Sequence, residues 1–170
     1  MKLRLTIFII LSFFLGSVIA HADDSKTSVD PRTELETMDK RIPVPLVPHM
    51  ALHQKQNMRE HLEAVLGIVA GLSKNDFKMI ESAASKMGLT KEMGQMCQMM
   101  GAGAEGFSEK AINFHKTADQ IALAAQKHDK KGILSSLEIT LAQCTSCHNS
   151  YRQQVVYDAT LQKIVSGKSR

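Results

Sequence analysis

The sequence contains no tryptophan, and only two tyrosines and six phenylalanines among its 170 residues. Basic surface interleaved with aromatic side chains, the usual footprint of a nucleic-acid binder, is therefore not encoded. The charge agrees. The formal net charge is +4, but without Lys2 and Arg4 the balance is 19 basic against 17 acidic residues. Proline is equally scarce, with four residues and none after Pro48. No stretch shows sustained period-two alternation of β-branched residues. With Ala, Leu, Met, Gln, Lys and Glu plentiful, these absences predict an all-α fold. Cysteine occurs three times, too few for the scaffold of a small disulfide-built domain.

A long hydrophobic run is missing after the first 22 residues. Those residues read as a cleaved secretory signal: Lys2 and Arg4, then the apolar stretch from Leu5 to Leu15, then Ala20-His21-Ala22 at a cleavage spacing. The apolar run is short for a bilayer span, which needs about 20 residues, so no stable membrane anchor is expected. The reading places the protein in the periplasm. Residues 23–47 are polar, carry Pro31, Pro43 and Pro45, and read as an extended or disordered lead-in. Residues 48–170 then form one domain, long enough to bury a single core.

Within that domain the apolar spacing predicts four main helices. The first runs from Pro48 to Ser73 with Met58, Leu62, Val65 and Val69 as its inward stripe. Asn75 or Asp76 caps the second, which presents Phe77, Ile80, Ala84 and Met87. A short helix from Glu92 to Met100 and a glycine-rich loop precede the third, with Phe107, Ala111, Phe114, Ala118, Ile121 and Ala125 facing inward. Asp129 caps the fourth. Its seam of Leu134, Leu137, Leu141, Cys144, His148, Tyr151 and Val155 alternates steps of three and four, as a bundle helix does. The predicted architecture is an antiparallel up-down-up-down four-helix bundle.

What the sequence does have is Cys144-Thr145-Ser146-Cys147-His148. Spacings of three and four put both thiols and the imidazole on one side of the fourth helix. Two thiols so placed can form thioethers with the vinyl groups of one haem, and the histidine can take the iron. This is the c-type haem-attachment motif. A redox dithiol would sit where a strand enters a helix, and a structural zinc site would need further ligands; neither pattern is present.

CTSCHNSYR near the C-terminus of an exported helical chain resembles the cytochrome c′ family of class II c-type cytochromes, over roughly residues 48–156. The resemblance implies one covalent haem c on Cys144 and Cys147 in the bundle, with His148 as proximal ligand. It also implies Tyr151 packed by the haem and Arg152 near its propionates or a partner surface. Members differ at the distal position. Met58, on the inward stripe, is the candidate distal ligand, with His61 or His115 as alternatives, and Leu62 and Phe114 complete the expected pocket. His115 also reads as a buried, satisfied histidine, and Met58 as core filler.

The leading functional expectation is electron transfer with redox partner proteins; the family also implies homodimers through the first two helices. A five-coordinate protein that binds NO or CO is the second expectation. A soft-metal (copper) carrier built on Met93, Met96 and Met99 beside Cys97 is the third. No distal histidine and arginine pair supports a peroxidase, and no enzyme activity is expected.

Overall fold

The structure, a computed structural model, describes residues 30–167. The signal-peptide reading lies outside them. Residues up to Asp39 form one unit, whose described part is helix α1 (Pro31–Met38), opened by Pro31 and capped by the Asp30 carboxylate on the Arg32 N–H (3.0 Å). Lys40 onward forms the second unit. It contains strand β1 (Ile42–Leu46), helices α2 (Pro48–Lys74), α3 (Phe77–Ser85), α4 (Lys91–Gly101), α5 (Phe107–Gln126) and α6 (Lys130–Ser150), strand β2 (Tyr151–Val155) and helix α7 (Asp158–Gly167).

The bundle is made by α2, α3, α5 and α6, and its local signals are those the sequence carries. Pro48 opens α2, where its missing N–H costs nothing. Asn75 closes α2 in the left-handed conformation (φ 56°), and Asp76 at once caps α3 through its bond to the Met79 N–H (2.9 Å). Thr90 caps α4 and Asp129 caps α6 in the same way. Short links make α2–α3 and α5–α6 hairpins, and α3 packs on α5.

Two cores result. The larger joins Ala64 and Ile68 of α2, Ile80 and Ala84 of α3, Met87 of the link after α3, Ala118 and Ile121 of α5, and Ile133 and Leu137 of α6. Gly71 lets α2 and α3 approach closely, since a Cβ there would meet Ile80 Cγ1 at 2.6 Å. Ile121 is fully buried in this core. Ile121→Ala should cost about 3 kcal/mol, read as a fall in the urea midpoint at unchanged slope.

The smaller core joins Val44 and Leu46 of β1, Ala51, Met100, Ala104, Phe107 and Tyr151, with Cys147 packed against it. Three expectations change here. Part of the lead-in is folded: residues 31–38 are helical, and β1 is buried from Val44 onward. The fourth helix stops at Ser150, so Tyr151 and Val155 belong to a strand and not to its seam. A parallel partner explains it, for β1 pairs with β2 from Ile42↔Tyr151 to Leu46↔Val155. The inward stripe of α2 also differs. Ala51, Asn57, Ala64, Ile68 and Gly71 are its buried residues, while Met58, Leu62 and Val69 are exposed. On α6 the buried positions are Ile133, Leu137 and Thr140, with Leu134 and Leu141 exposed. On α2 small residues take much of the core face because they let α3 approach closely, whereas α6 buries Ile133 and Leu137.

Candidate functional site

The faces that miss the main core meet elsewhere. A cavity of about 300 Å³ lies between α2, α5 and α6, in the angle between the two cores. Met58, His61, Leu62 and Val65 line it from α2; Phe107, Lys110, Ala111, Phe114 and His115 from α5; and Leu141, Gln143, Cys144, Cys147 and His148 from α6. Met87 closes it from the link after α3. Met58 and Leu62 thus face a slot and not a neighbouring helix, which is why their side chains remain accessible, while Val65 also packs against the larger core. A wider groove of about 1080 Å³ between α2 and α3 is lined by residues such as Glu60, Leu66, Gly67 and Lys86, with no thiol or imidazole among them.

The cysteines are held by the regular helix. Cys144 Sγ donates to the Thr140 carbonyl at 3.4 Å, and both Cys144 and Cys147 are free, half-buried thiols. Burial raises the pKa of each; at Cys147 the nearby Lys110 ammonium works against this and Cys144 adds to it. That is the reverse of the activated thiolate in a redox dithiol. Lys110 Nζ donates to Ser146 Oγ at 2.9 Å, inside the motif. The buried Thr140 hydroxyl shares its one proton between the Ser136 carbonyl (2.8 Å) and Thr117 Oγ1 (3.1 Å), and the second contact ties α6 to α5 beneath the slot.

The opposite wall carries an aromatic group. The ring centroid of His61 lies 4.8 Å from that of Phe114 and 5.4 Å from that of His115. Burial, and then the neighbouring His115, push His61 down to about 4, with Glu60 opposing. His115 is buried, and its Nδ1–H donates to the Met87 carbonyl at 2.8 Å. Burial lowers its pKa, against the Met87 carbonyl and Asp119. Asp119, one turn on, accepts from the Leu89 N–H at 3.3 Å, so α5 pins the chain after α3 at two points. The satisfied-histidine reading of His115 matches this geometry.

The sequence model of the family described as Cytochrome C′ matches residues 102–152. The resemblance to cytochrome c′ stands. The match spans the link before α5, then α5, α6 and the first residues of β2, and so includes the whole motif. It supports a c-type cytochrome. No curated protein and no solved structure matches the chain.

The residues fit the haem such a family carries. Two free thiols, the following imidazole and a thioether on the facing helix line one slot whose remaining wall is largely apolar. Of the expected pocket, Leu62, Phe114, Met58, His61 and His115 all line it. Tyr151 and Arg152 do not: the helix has ended, and β2 carries them away. Tyr151 instead sits in the smaller core, its hydroxyl donating to the Glu105 carbonyl at 2.7 Å and its ring 5.3 Å from Phe107. It also contacts the site indirectly, since Cys147 packs against that core. Gly106 gives it room at a φ of 72°, where a Cβ would lie 2.9 Å from the hydroxyl.

Lys110 and Gln143 are the lining residues that the sequence reading passes over. A lone cation three residues after Phe107 and four before Phe114 was the available signal. The methionine-rich segment is dispersed: Met100 is buried and Met96 packs beside it in the smaller core, whereas Met99 is exposed. Cys97 is buried, and its pKa is raised by that burial. Among the described residues, no group of three or more His, Cys, Asp or Glu is placed to hold a metal ion, and no helix is long and apolar enough to cross a membrane.

Proposed function

We propose that this protein is an exported monohaem c-type cytochrome that transfers electrons in the periplasm. One observation carries the proposal: Met58 on α2 lines the same slot as Cys144, Cys147 and His148 on α6. Cys144 and Cys147 would hold the haem covalently, with His148 and Met58 as the residues that would ligate its iron. The bound haem supplies a one-electron Fe(III)/Fe(II) couple, whose potential the axial ligands and burial adjust. The chain's own residues do the rest. Leu62, Val65, Ala111 and Phe114 exclude water from the macrocycle, and the Thr140–Thr117 bond holds the two helices that support it.

The test is the oxidised and reduced optical spectrum of the exported protein, with haem staining after a denaturing, alkaline gel. Stain retention and a sulfur-to-iron charge-transfer band in the oxidised form are expected. A high-spin oxidised spectrum with rapid CO binding would transfer the reading to a five-coordinate NO- or CO-binding protein. The observation favouring that second reading is the apolar wall of Leu62, Val65 and Phe114, which leaves space for a small gas beside the iron if Met58 does not ligate. Absence of covalent haem would remove both.

A further inference from the structure

The segment before the bundle lies in sequence far from the haem-attachment motif, and outside the residues matched by the family, yet it closes on the end of the motif's helix. β1 joins β2 in parallel register, with Val44 and Leu46 at 1% and 0% exposure and the Val156 N–H donating to the Leu46 carbonyl at 2.9 Å. Since strand positions alternate, Pro43 and Pro45 fall where the backbone N–H would point away from β2, so their lack of a donor costs no ladder bond. The strand is thus anchored by two buried side chains and its own backbone.

That anchoring delivers Arg41, the residue just before β1. Its Nη1 donates to the carbonyl oxygen of His148 at 3.2 Å, across 107 positions of sequence. The acceptor is a special one. In a continuing helix the His148 carbonyl would take the N–H of Arg152, but α6 ends at Ser150 and Arg152 lies in β2. It is one of the last-turn carbonyls that a helix leaves without an intrahelical donor, and a cation there also opposes the negative end of the helix dipole.

We infer that Arg41 is a positioning residue for the proximal side of the haem site: β1 carries it to the backbone of His148, where its guanidinium fixes the last turn of α6 and sets a permanent positive charge beside the proximal ligand. This rests on the attachment of haem through Cys144 and Cys147 with His148 as ligand. Two consequences follow from charge and geometry. The cation disfavours Fe(III) relative to Fe(II), so it raises the potential. The bond to the ligand's own main-chain carbonyl holds the helix turn that carries His148, and so narrows the positions its imidazole can take.

The experiment is a redox titration of the full holoprotein and of three variants, Arg41→Gln, Arg41→Lys and Lys74→Gln, with electron paramagnetic resonance of each oxidised form. Lys74, at the far end of α2, makes the same change of charge away from the slot. Arg41→Gln should shift the Fe(III)/Fe(II) ratio at a fixed applied potential by about threefold toward Fe(III) and broaden the resonance of the oxidised haem. Arg41→Lys should recover most of the ratio, because charge is restored, and less of the line width, because the planar fork is not. Lys74→Gln should change neither. An Arg41→Gln potential equal to the parent's, or displaced no more than that of Lys74→Gln, overturns the inference. If Arg41→Gln yields too little folded protein, Arg41→Lys decides: a resonance indistinguishable from the parent's removes the positioning role. Failure of the underlying reading is separate and visible first, since the parent itself would then carry no alkali-stable haem.

Discussion

Replacement of Met58 by alanine should turn the oxidised haem protein from low-spin and six-coordinate to high-spin, and open it to rapid CO binding. A thioether ligand stabilises Fe(II), so with Met58 as ligand the midpoint potential should fall by roughly 100 mV or more on its removal, a modest part of the ~0.8 V that axial ligation spans. The fold should tolerate the change. Met58 is 43% exposed and belongs to neither core, so the truncation should cost under about 1 kcal/mol. A change in spin state with an unaltered thermal midpoint therefore reports ligation and not unfolding. The companion variant is His61→Ala. His61 is one turn further along the same wall and reaches Phe114 and His115. Loss of the low-spin spectrum in His61→Ala, with Met58→Ala unchanged, would make the imidazole the distal ligand and take Met58 out of the site.

The second large effect concerns attachment. In Cys144→Ala/Cys147→Ala, alkali-resistant haem staining should disappear completely, while each single variant keeps one thioether and a weaker stain. Stability should fall as well, because the slot would lose the group its apolar walls enclose. At ~24 cal/mol per Å³, a cavity of about 300 Å³ corresponds to at most ~7 kcal/mol, less whatever the walls recover by collapse. The unfolding midpoint of the double variant, set against the parent loaded with haem, measures that difference. Full staining in the double variant would show that these thiols do not hold the haem. A parent that never stains, but binds Cu(I) and loses it in the double variant, would point to the soft-metal carrier.

The two variants test readings that the chain discloses unequally. The attachment motif is local. Three- and four-residue spacings on one helix bring Cys144, Cys147 and His148 to one side whatever else the chain does, and the slot contains all three. The caps are local too: Asp76 and Asp129 act as their positions suggest, and Thr90 does the same for α4 although the sequence reading names no cap there. The distal wall is not local. On α2 two apolar stripes run side by side, one through Met58, Leu62 and Val65, the other through Ala64, Ile68 and Gly71. Periodicity alone favours the bulkier stripe as core. Packing reverses the choice, because α3 comes close enough at Gly71 to need the small residues, and the bulky stripe is left for the slot.

The C-terminal end of the motif's helix teaches the same point. Tyr151 and Val155 continue the three-four seam on paper. In the molecule they form β2, since β1 offers a parallel edge with Val44 and Leu46 ready to be buried. A propensity summed over neighbours cannot register a partner more than 100 residues away. For the same reason, nothing in the sequence distinguishes Arg41 from the other exposed arginines until the strand places it at His148.

The sequence by itself therefore determined the helical class, the starts of the bundle helices and the placement of Cys144, Cys147 and His148 on one side of α6, because capping and i to i+4 geometry act within a few residues. Only the tertiary structure decided which face of α2 lines the slot, where α6 stops and which side chain reaches the His148 carbonyl. Those depend on contacts whose free energy is shared between distant segments, and they take effect only once both segments are in place.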